Sequence, residues 1–372
     1  MDFTLNDDHI ALRDAARAFL AKEVDLAPLL IPGATVEQAG YAPLWAQAVE
    51  LGWPAMVVPQ AYGGLGMDYI DLIMVIGEAG RTLAPMPLFG TLAGSWAIEA
   101  GGDEAQKAAL LGAVAAGEAR LSLAVADAAG CYDPGAAEVS AAPDGSGGYR
   151  LTGTRFFVVD AASADRLVVA ADLDGARRWF MVDAAASGVA IERVAWRDIT
   201  REVCTVRLDG AAGDLLAGDG AAVWPFVRDR LYLLLAAESA AGTEAVLADA
   251  VDYAKERVAF GRPIGGFQAI KHQLAEIAGQ SECANVGVQY AAWALSAGDD
   301  KAPLAAAIAQ SYASEAYRAA THRNIQIFGA IGFTWEMKNH LFYKRARCNA
   351  ELLGAPVRQR EEVIRMLERQ AA

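Results

Sequence analysis

The spacing of apolar residues in this 372-residue chain changes twice, and that double change restricts its architecture more than any other feature. Up to about residue 118 the period is helical; Ala11-Leu12, Ala15-Ala16 and Phe19-Leu20 mark the apolar face of a first helix. From about Arg120 the chain becomes short β-branched or aromatic runs, LSLAVA, YRLTGTRFFVV, RLVVAAD, RWFMV and CTVRL, separated by Gly, Asp, Pro and Ala-Ser. After about Leu216 the helical period returns and runs to the C-terminus. Helices, then strands, then helices imply three blocks in series and not a βαβ sheet. The expected class is α+β: an N-terminal all-helical domain over 1–118, a middle β-sandwich or barrel domain over 119–218, and a C-terminal four-helix bundle over 219–372.

Local signals fill in this frame. Val58 to Leu72 carries Pro59, Gly63, Gly64 and Gly66 and reads as a loop, with Asp68 placed to cap the helix that follows. No clear strand precedes Gly63-Gly64-x-Gly66, so the glycines serve loop geometry better than a phosphate cradle. Asp144-Gly145 is a hairpin signal. The bundle helices are expected over Trp224 to Val258, Gln268 to Ala297, Pro303 to Phe328, and a last piece ending at Leu367. Between the third and fourth, GAIGFTWEMKN (Gly329 to Asn339) is either a place where backbone approaches a ligand or an ordinary turn.

Composition narrows the function classes. The chain is 54% hydrophobic, with a mean hydropathy of +0.21, yet no run of about 18 uninterrupted apolar residues appears, so no membrane span is expected. A formal charge of -14 argues against nucleic acid as a partner. Cys131, Cys204, Cys283 and Cys348 are scattered and imply no disulfide framework, and the four histidines lack metal-ligand spacing. MDFTLNDDH has neither a basic nor an apolar leader region, so a cytoplasmic location is the expectation.

The chemistry concentrates in Ala237 to Phe267. A long helix is expected to stop at Gly261-Arg262-Pro263, since glycine tolerates the left-handed turn and proline forbids continuation. Arg257 falls in its last turn, Phe260 lies three residues on, and Phe267-Gln268 follow a Gly-Gly break. A guanidinium beside an aromatic at a helix end suits a diphosphate and its ring system. The same residues would also serve as a dipole-neutralising arginine and a core phenylalanine.

These residues resemble the flavin-dependent acyl-CoA dehydrogenases over nearly the whole chain. Y-A-K-E-R-V-A-F-G-R-P-I-G-G-F-Q-A-I-K-H, from Tyr253 to His272, is similar to that family's R-x-x-F-G-x-P-I-x-x-F-Q signature. Gln326 to Phe333 (QIFGAIGF) is similar to its Q-x-x-G-G-x-G-F loop, with Ala330 for the second glycine, and Val58 to Gly66 fits its N-terminal domain. The resemblance implies that Arg257, Phe260, Gln268, Gln326 and Gly329 hold the adenosine-diphosphate half of FAD, serving a neighbouring subunit's flavin. It also implies an acyl-CoA substrate, an electron-transfer flavoprotein as acceptor, and a carboxylate that removes the α-proton while the flavin takes a hydride from the β-carbon.

That carboxylate is missing where the resemblance puts it. Leu353 precedes Gly354 in place of the usual glutamate, and Glu351, two residues away, sits roughly 200° round a helix. The alternative base position, near the start of the long helix, falls on Leu231 or Tyr232. The nearest acid is Asp229, a candidate catalytic base that helix-dipole compensation explains without any catalytic role. Glu238 amid alanines reads as a subunit-contact or solvated residue. The flavin-side T-E-P-x-x-G-S-D segment appears as ADAAGCYDP (Ala126 to Pro134); the aromatic-x-hydroxyl strand appears as Phe157-Val158-Val159, and the tail's Thr-Ser-Gln as Ala355-Pro356-Val357. Three readings follow: the non-catalytic or site-completing subunit of a heteromeric enzyme, a self-sufficient homo-oligomer with an atypical base, or a flavin monooxygenase on the same fold. Phe333 to Glu336 (FTWE) is shared with two-subunit enzymes acting on steroid side-chain or other bulky CoA esters.

Overall fold

A computed structural model describes residues 5–39, 41–132 and 138–371. The first block holds α1 (Asp7–Glu23), α2 (Tyr41–Glu50), α3 (Tyr69–Thr82), α4 (Leu88–Gly101) and α5 (Glu104–Ala115). Asp68 caps α3 as its type and position require, accepting from the Ile70 and Asp71 amides at 2.7 and 3.0 Å. On α1 only Ala16 and Leu20 are buried, a narrower stripe than the sequence period suggested.

The middle block is β1 (Leu121–Ala124), β2 (Val139–Pro143), β3 (Tyr149–Val159), β4 (Arg166–Leu173), β5 (Ala176–Asp183), β6 (Val189–Arg193) and β7 (Val203–Leu215). Hydrogen bonding runs β4-β2-β3-β7-β5 and returns from β5 to β4, closing a small barrel, with β1 added to β4 and β6 to β7. Asp144 makes the β2–β3 turn, its carboxylate accepting from the Ser146 and Gly148 amides at 2.8 and 3.0 Å. Val139, Leu151, Leu167, Val169, Phe180 and Val206 fill the interior. Val168 and Ala170, on the opposite face of β4, join the helical core instead, so β4 reads as an unbroken buried run.

The third block is α6 (Gly220–Glu256), a two-residue ribbon β8 (Val258–Ala259) and β9 (Arg262–Pro263), α7 (Gln268–Ser296), α8 (Ala302–Phe328), α9 (Asn339–Glu351) and α10 (Pro356–Ala371). It has five helices among the described residues where four were expected. The last expected piece is broken by Leu353 and Gly354, at φ +64° and +101°, and by Pro356, and helical hydrogen bonding does not cross that corner. α6 is the centre of the molecule. It is long and apolar enough to cross a membrane, but 83% of its most apolar window is buried here against α3, α4, α7 and α8.

α3 and α6 approach so closely that a Cβ on Gly80 would stand 2.6 Å from Glu238 Cα and 2.7 Å from its carbonyl oxygen. Backbone cannot swing aside as a flexible side chain can. Gly80→Ala is therefore expected to destabilise the protein by about 1–3 kcal/mol, read as a lower urea midpoint.

Candidate functional site

α6 ends at Glu256, and Arg257 is its cap and not part of its last turn, which corrects the expected stop at Gly261-Arg262-Pro263. The β8–β9 ribbon takes over the backbone: Ala259 pairs with Arg262, and the Ile264 amide returns to the Arg257 carbonyl at 2.8 Å. Phe260 and Gly261 form the tip at φ +51° and +80°. Phe260 is 95% exposed, so it is not a core residue.

The two motifs meet in space. Tyr253, one turn before Arg257, stacks on Phe328 at 4.1 Å and 12°, which brings the end of α6 to the turn that begins at Gly329. Gly329 holds φ +71° and ψ -145°, a conformation open to glycine. Arg262 lies over the Phe267 ring at 4.2 Å, just before Gln268 opens α7. Arg257, Phe260, Gln268, Gln326 and Gly329 are all exposed, presenting a cation, a bare ring, two amides and an unobstructed backbone to whatever adjoins this surface.

A second, buried site lies where β1 and β3 meet α4, α6 and the end of α9. Leu231 and Leu353, two of the three positions at which a base was sought, line the same chamber with Phe89, Tyr132, Phe157 and Trp224, while Tyr232, the third, donates its hydroxyl to Glu362 at 3.0 Å. No carboxylate lines it, and the remaining cavity is only ≈ 20 Å³. Phe157 and Leu353 both carry positive φ, +51° and +64°. Such non-glycine residues cost on the order of 1–3 kcal/mol each and persist only where their surroundings enforce them.

The nearby acids are otherwise engaged. Asp229 is two residues from Leu231 and so roughly 200° round the helix from it. Its carboxylate accepts from Arg228 Nε and Nη2 at 2.9 and 2.7 Å, and Arg228 also pairs with Glu362 on α10. Burial raises the Asp229 pKa, with Arg228 opposing the shift. Glu238, seven residues from Leu231, lies roughly 20° from its face and about 10.5 Å along the axis. The sequence offered it as a subunit-contact or solvated residue, but it is buried within the chain: Arg201 Nη2 donates to both its oxygens at 2.7 and 2.5 Å, and Asn349 Nδ2 to one at 3.2 Å. In the ADAAGCYDP segment Asp127 accepts from the Ala129 and Cys131 amides at 2.9 and 2.7 Å; Asp133 and Pro134 lie outside the described residues.

Sequence reasoning missed a groove of ≈ 810 Å³ between residues 194–197 and the outer face of α9. Trp196, Phe333, Trp335 and Tyr343 give it aromatic walls, Arg197, Lys344 and Arg347 a basic character, and Glu351 one acid. Its dimensions and planar walls fit a nucleotide-sized ring system. Val159, where the resemblance expects a hydroxyl, is apolar and lines the buried chamber with Phe157 and not this groove. The i, i+4, i+8 spacing of His340, Lys344 and Cys348 was the available signal, but only with β6 and β7 in place does it become a wall. Elsewhere among the described residues, His9, Asp68 and Asp71 come within 4.8 Å of one another, and both aspartates there serve the α3 cap.

The chain matches the acyl-CoA dehydrogenase N-terminal domain over residues 6–118 and the C-terminal domain over residues 218–367. It is 34% identical to acyl-CoA dehydrogenase IpdE2 of Mycobacterium tuberculosis, over 96% of this chain and 95% of that one. Among solved structures it is similar to the Tcur3481–Tcur3483 steroid ACAD (TM-score 0.87, 28% identity, 99% of each chain). It is also similar to the ChsE4–ChsE5 complex of Mycobacterium tuberculosis (TM-score 0.85, 25% identity, 99% of each chain). The protein belongs to the acyl-CoA dehydrogenase family, whose members are FAD-dependent oxidoreductases.

His340 supplies a pH test of the groove. Neither of its ring nitrogens has a hydrogen-bond partner, Trp335 packs edge-on at 4.7 Å, and burial, with Lys344 adding to it, lowers its pKa from 6.5 to about 4. Between those values the unfolded chain binds the extra proton and the folded one does not, so stability falls as pH drops from 6.5 towards 4. His340→Phe should flatten that part of a plot of urea midpoint against pH.

Proposed function

We propose that this chain is the site-completing, non-catalytic subunit of a heteromeric FAD-dependent acyl-CoA dehydrogenase. The observation that carries the reading is that Leu353 and Leu231 face one apolar chamber without a carboxylate, while Tyr232, the other candidate on the long helix, is a buried phenol whose hydroxyl donates to Glu362. A hydrocarbon side chain accepts no proton, and Asp229 is on the wrong face and held by Arg228. In this reading Asp229 is a structural acid.

What the chain does offer is grip. Arg257, with Phe260, Gln268, Gln326 and the bare Gly329 backbone, is displayed outward, where it can meet a dinucleotide seated mainly in a sister chain. Both the hairpin (Arg257, Arg262) and the groove (Arg197, Lys344, Arg347) are basic, and two such surfaces approach each other favourably only with an anion between them. A diphosphate meets that requirement. FAD, when bound, supplies the hydride acceptor; this chain's residues hold its charged half and exclude water. The sister carries the acyl-CoA, and electrons leave to an electron-transfer flavoprotein. The names of two similar structures, a paired steroid ACAD and a ChsE4–ChsE5 complex, support a two-chain enzyme and a bulky acyl group.

The test is to express the chain alone and with its sister, recording flavin absorbance and acyl-CoA-dependent dye reduction. Activity is expected only with the sister, and a flavin-loaded chain that turns over by itself would end this reading. In the active pair, Arg257→Ala should weaken FAD retention by about tenfold, the scale of one charge-assisted hydrogen bond. Asp229→Asn should leave the rate unchanged.

A further inference from the structure

We infer that Tyr132 and Trp224 form a plug that keeps an acyl thioester out of this chain's own chamber. This rests on the reading above and goes beyond it: lacking a base prevents reaction, whereas a plug prevents binding. The two rings stack at 6.4 Å with planes 13° apart. Trp224 comes from the first turns of α6, and Tyr132 from the segment between β1 and β2. The Tyr132 hydroxyl donates to the Phe157 carbonyl at 3.3 Å, and burial raises the phenol's pKa far above its ordinary value, so it remains a neutral donor.

Volume decides the matter. The residual ≈ 20 Å³ is room for about one water. Ligand sites for small organic molecules occupy roughly 300–1,000 Å³. The rest of the wall would suit a hydrocarbon chain: Phe89, Leu123, Val125, Leu231 and Leu353 are apolar, and none asks for water. An apolar cavity of about 150 Å³ stays dry and accepts a benzene-sized guest, so removing either ring creates usable space and not a water pocket. The acyl site is therefore filled by the protein's own side chains.

The experiment measures binding of butyryl-CoA by equilibrium dialysis, to the full chain alone and to its complex with the sister. Wild type alone should bind none in the chamber, and the complex should bind one thioester per pair of chains. Tyr132→Ala and Trp224→Ala should each bind at least about tenfold more tightly than wild type, a change of ~1.4 kcal/mol, and raise the complex towards two per pair. Tyr132→Phe keeps the ring and should stay closed; Trp224→Leu is a milder opening should the alanine variant not fold. Wild-type chain that binds butyryl-CoA stoichiometrically without turning it over would overturn the plug while leaving the non-catalytic reading intact. Folded opened variants that gain nothing would overturn it equally, and turnover by the chain alone would overturn the earlier reading instead.

Discussion

The arrangement of the domains depends on one buried ionic clamp. Arg345 on α9 donates from Nε to Asp198 at 2.5 Å and from Nη2 to the Thr200 carbonyl and hydroxyl at 3.0 and 2.6 Å. One turn on, Asn349 accepts from Arg201 Nη1 at 3.0 Å, while Arg201 grips Glu238 on α6. Two arginines and two carboxylates, all buried, thus tie the loop before β7 to both α6 and α9. Removing one partner of such a pair leaves a buried charge uncompensated, which typically costs about 3–5 kcal/mol. Neighbouring Asp198 and Glu238 raise the Arg345 pKa against the desolvation that opposes it, so the clamp stays charged.

The clamp explains why the two sites differ. Arg345 and Asn349 occupy the inner face of α9, whereas Tyr343, Lys344 and Arg347 face the groove. The loop clamped at 198–201 supplies the opposite groove wall at 194–197, so the groove stands open between two fixed surfaces. On the other side of α9's end no charged residue is among those lining the chamber, and apolar and aromatic side chains close it. Glu238, which the sequence offered as a subunit-contact or solvated residue, is one of the four charges that fix this geometry. A carboxylate two turns along from Leu231 serves architecture because two arginines reach it first.

Much of this was legible in the chain. The double change in hydrophobic period gives the block order because burial of one face imposes period 3.6 or 2 on the residues themselves. Asp68 and Asp144 act within a few residues of their own position, so their roles could be read locally. What escaped depends on distant partners. Nothing near Glu238 signals Arg201, and nothing near Tyr132 signals Trp224, which is separated from it by the whole barrel. The end of α6 was misplaced for a different reason. Gly261 and Pro263 do mark a turn, but the turn belongs to a hairpin that begins as soon as Arg257 leaves the helix, and a two-residue ribbon is too short to show a period.

The corner at Leu353 shows how strained backbone is held in place by its neighbours. Leucine at φ +64° is strained and stays there only where its surroundings enforce it. The corner has structural work of its own. Leu352 and Leu353 are buried in the main core, Gln359 Nε2 on α10 donates to the Gly354 carbonyl at 2.8 Å, and α10 in turn supplies Glu362 to Arg228 and Tyr232 on α6. Straightening the corner would release that helix. The backbone at this corner is thus held by core packing, the Gln359 hydrogen bond and the Glu362 contacts together. A fold held in this way leaves the side chains at 231 and 353 to decide what the site does, so the fold alone does not fix its chemistry.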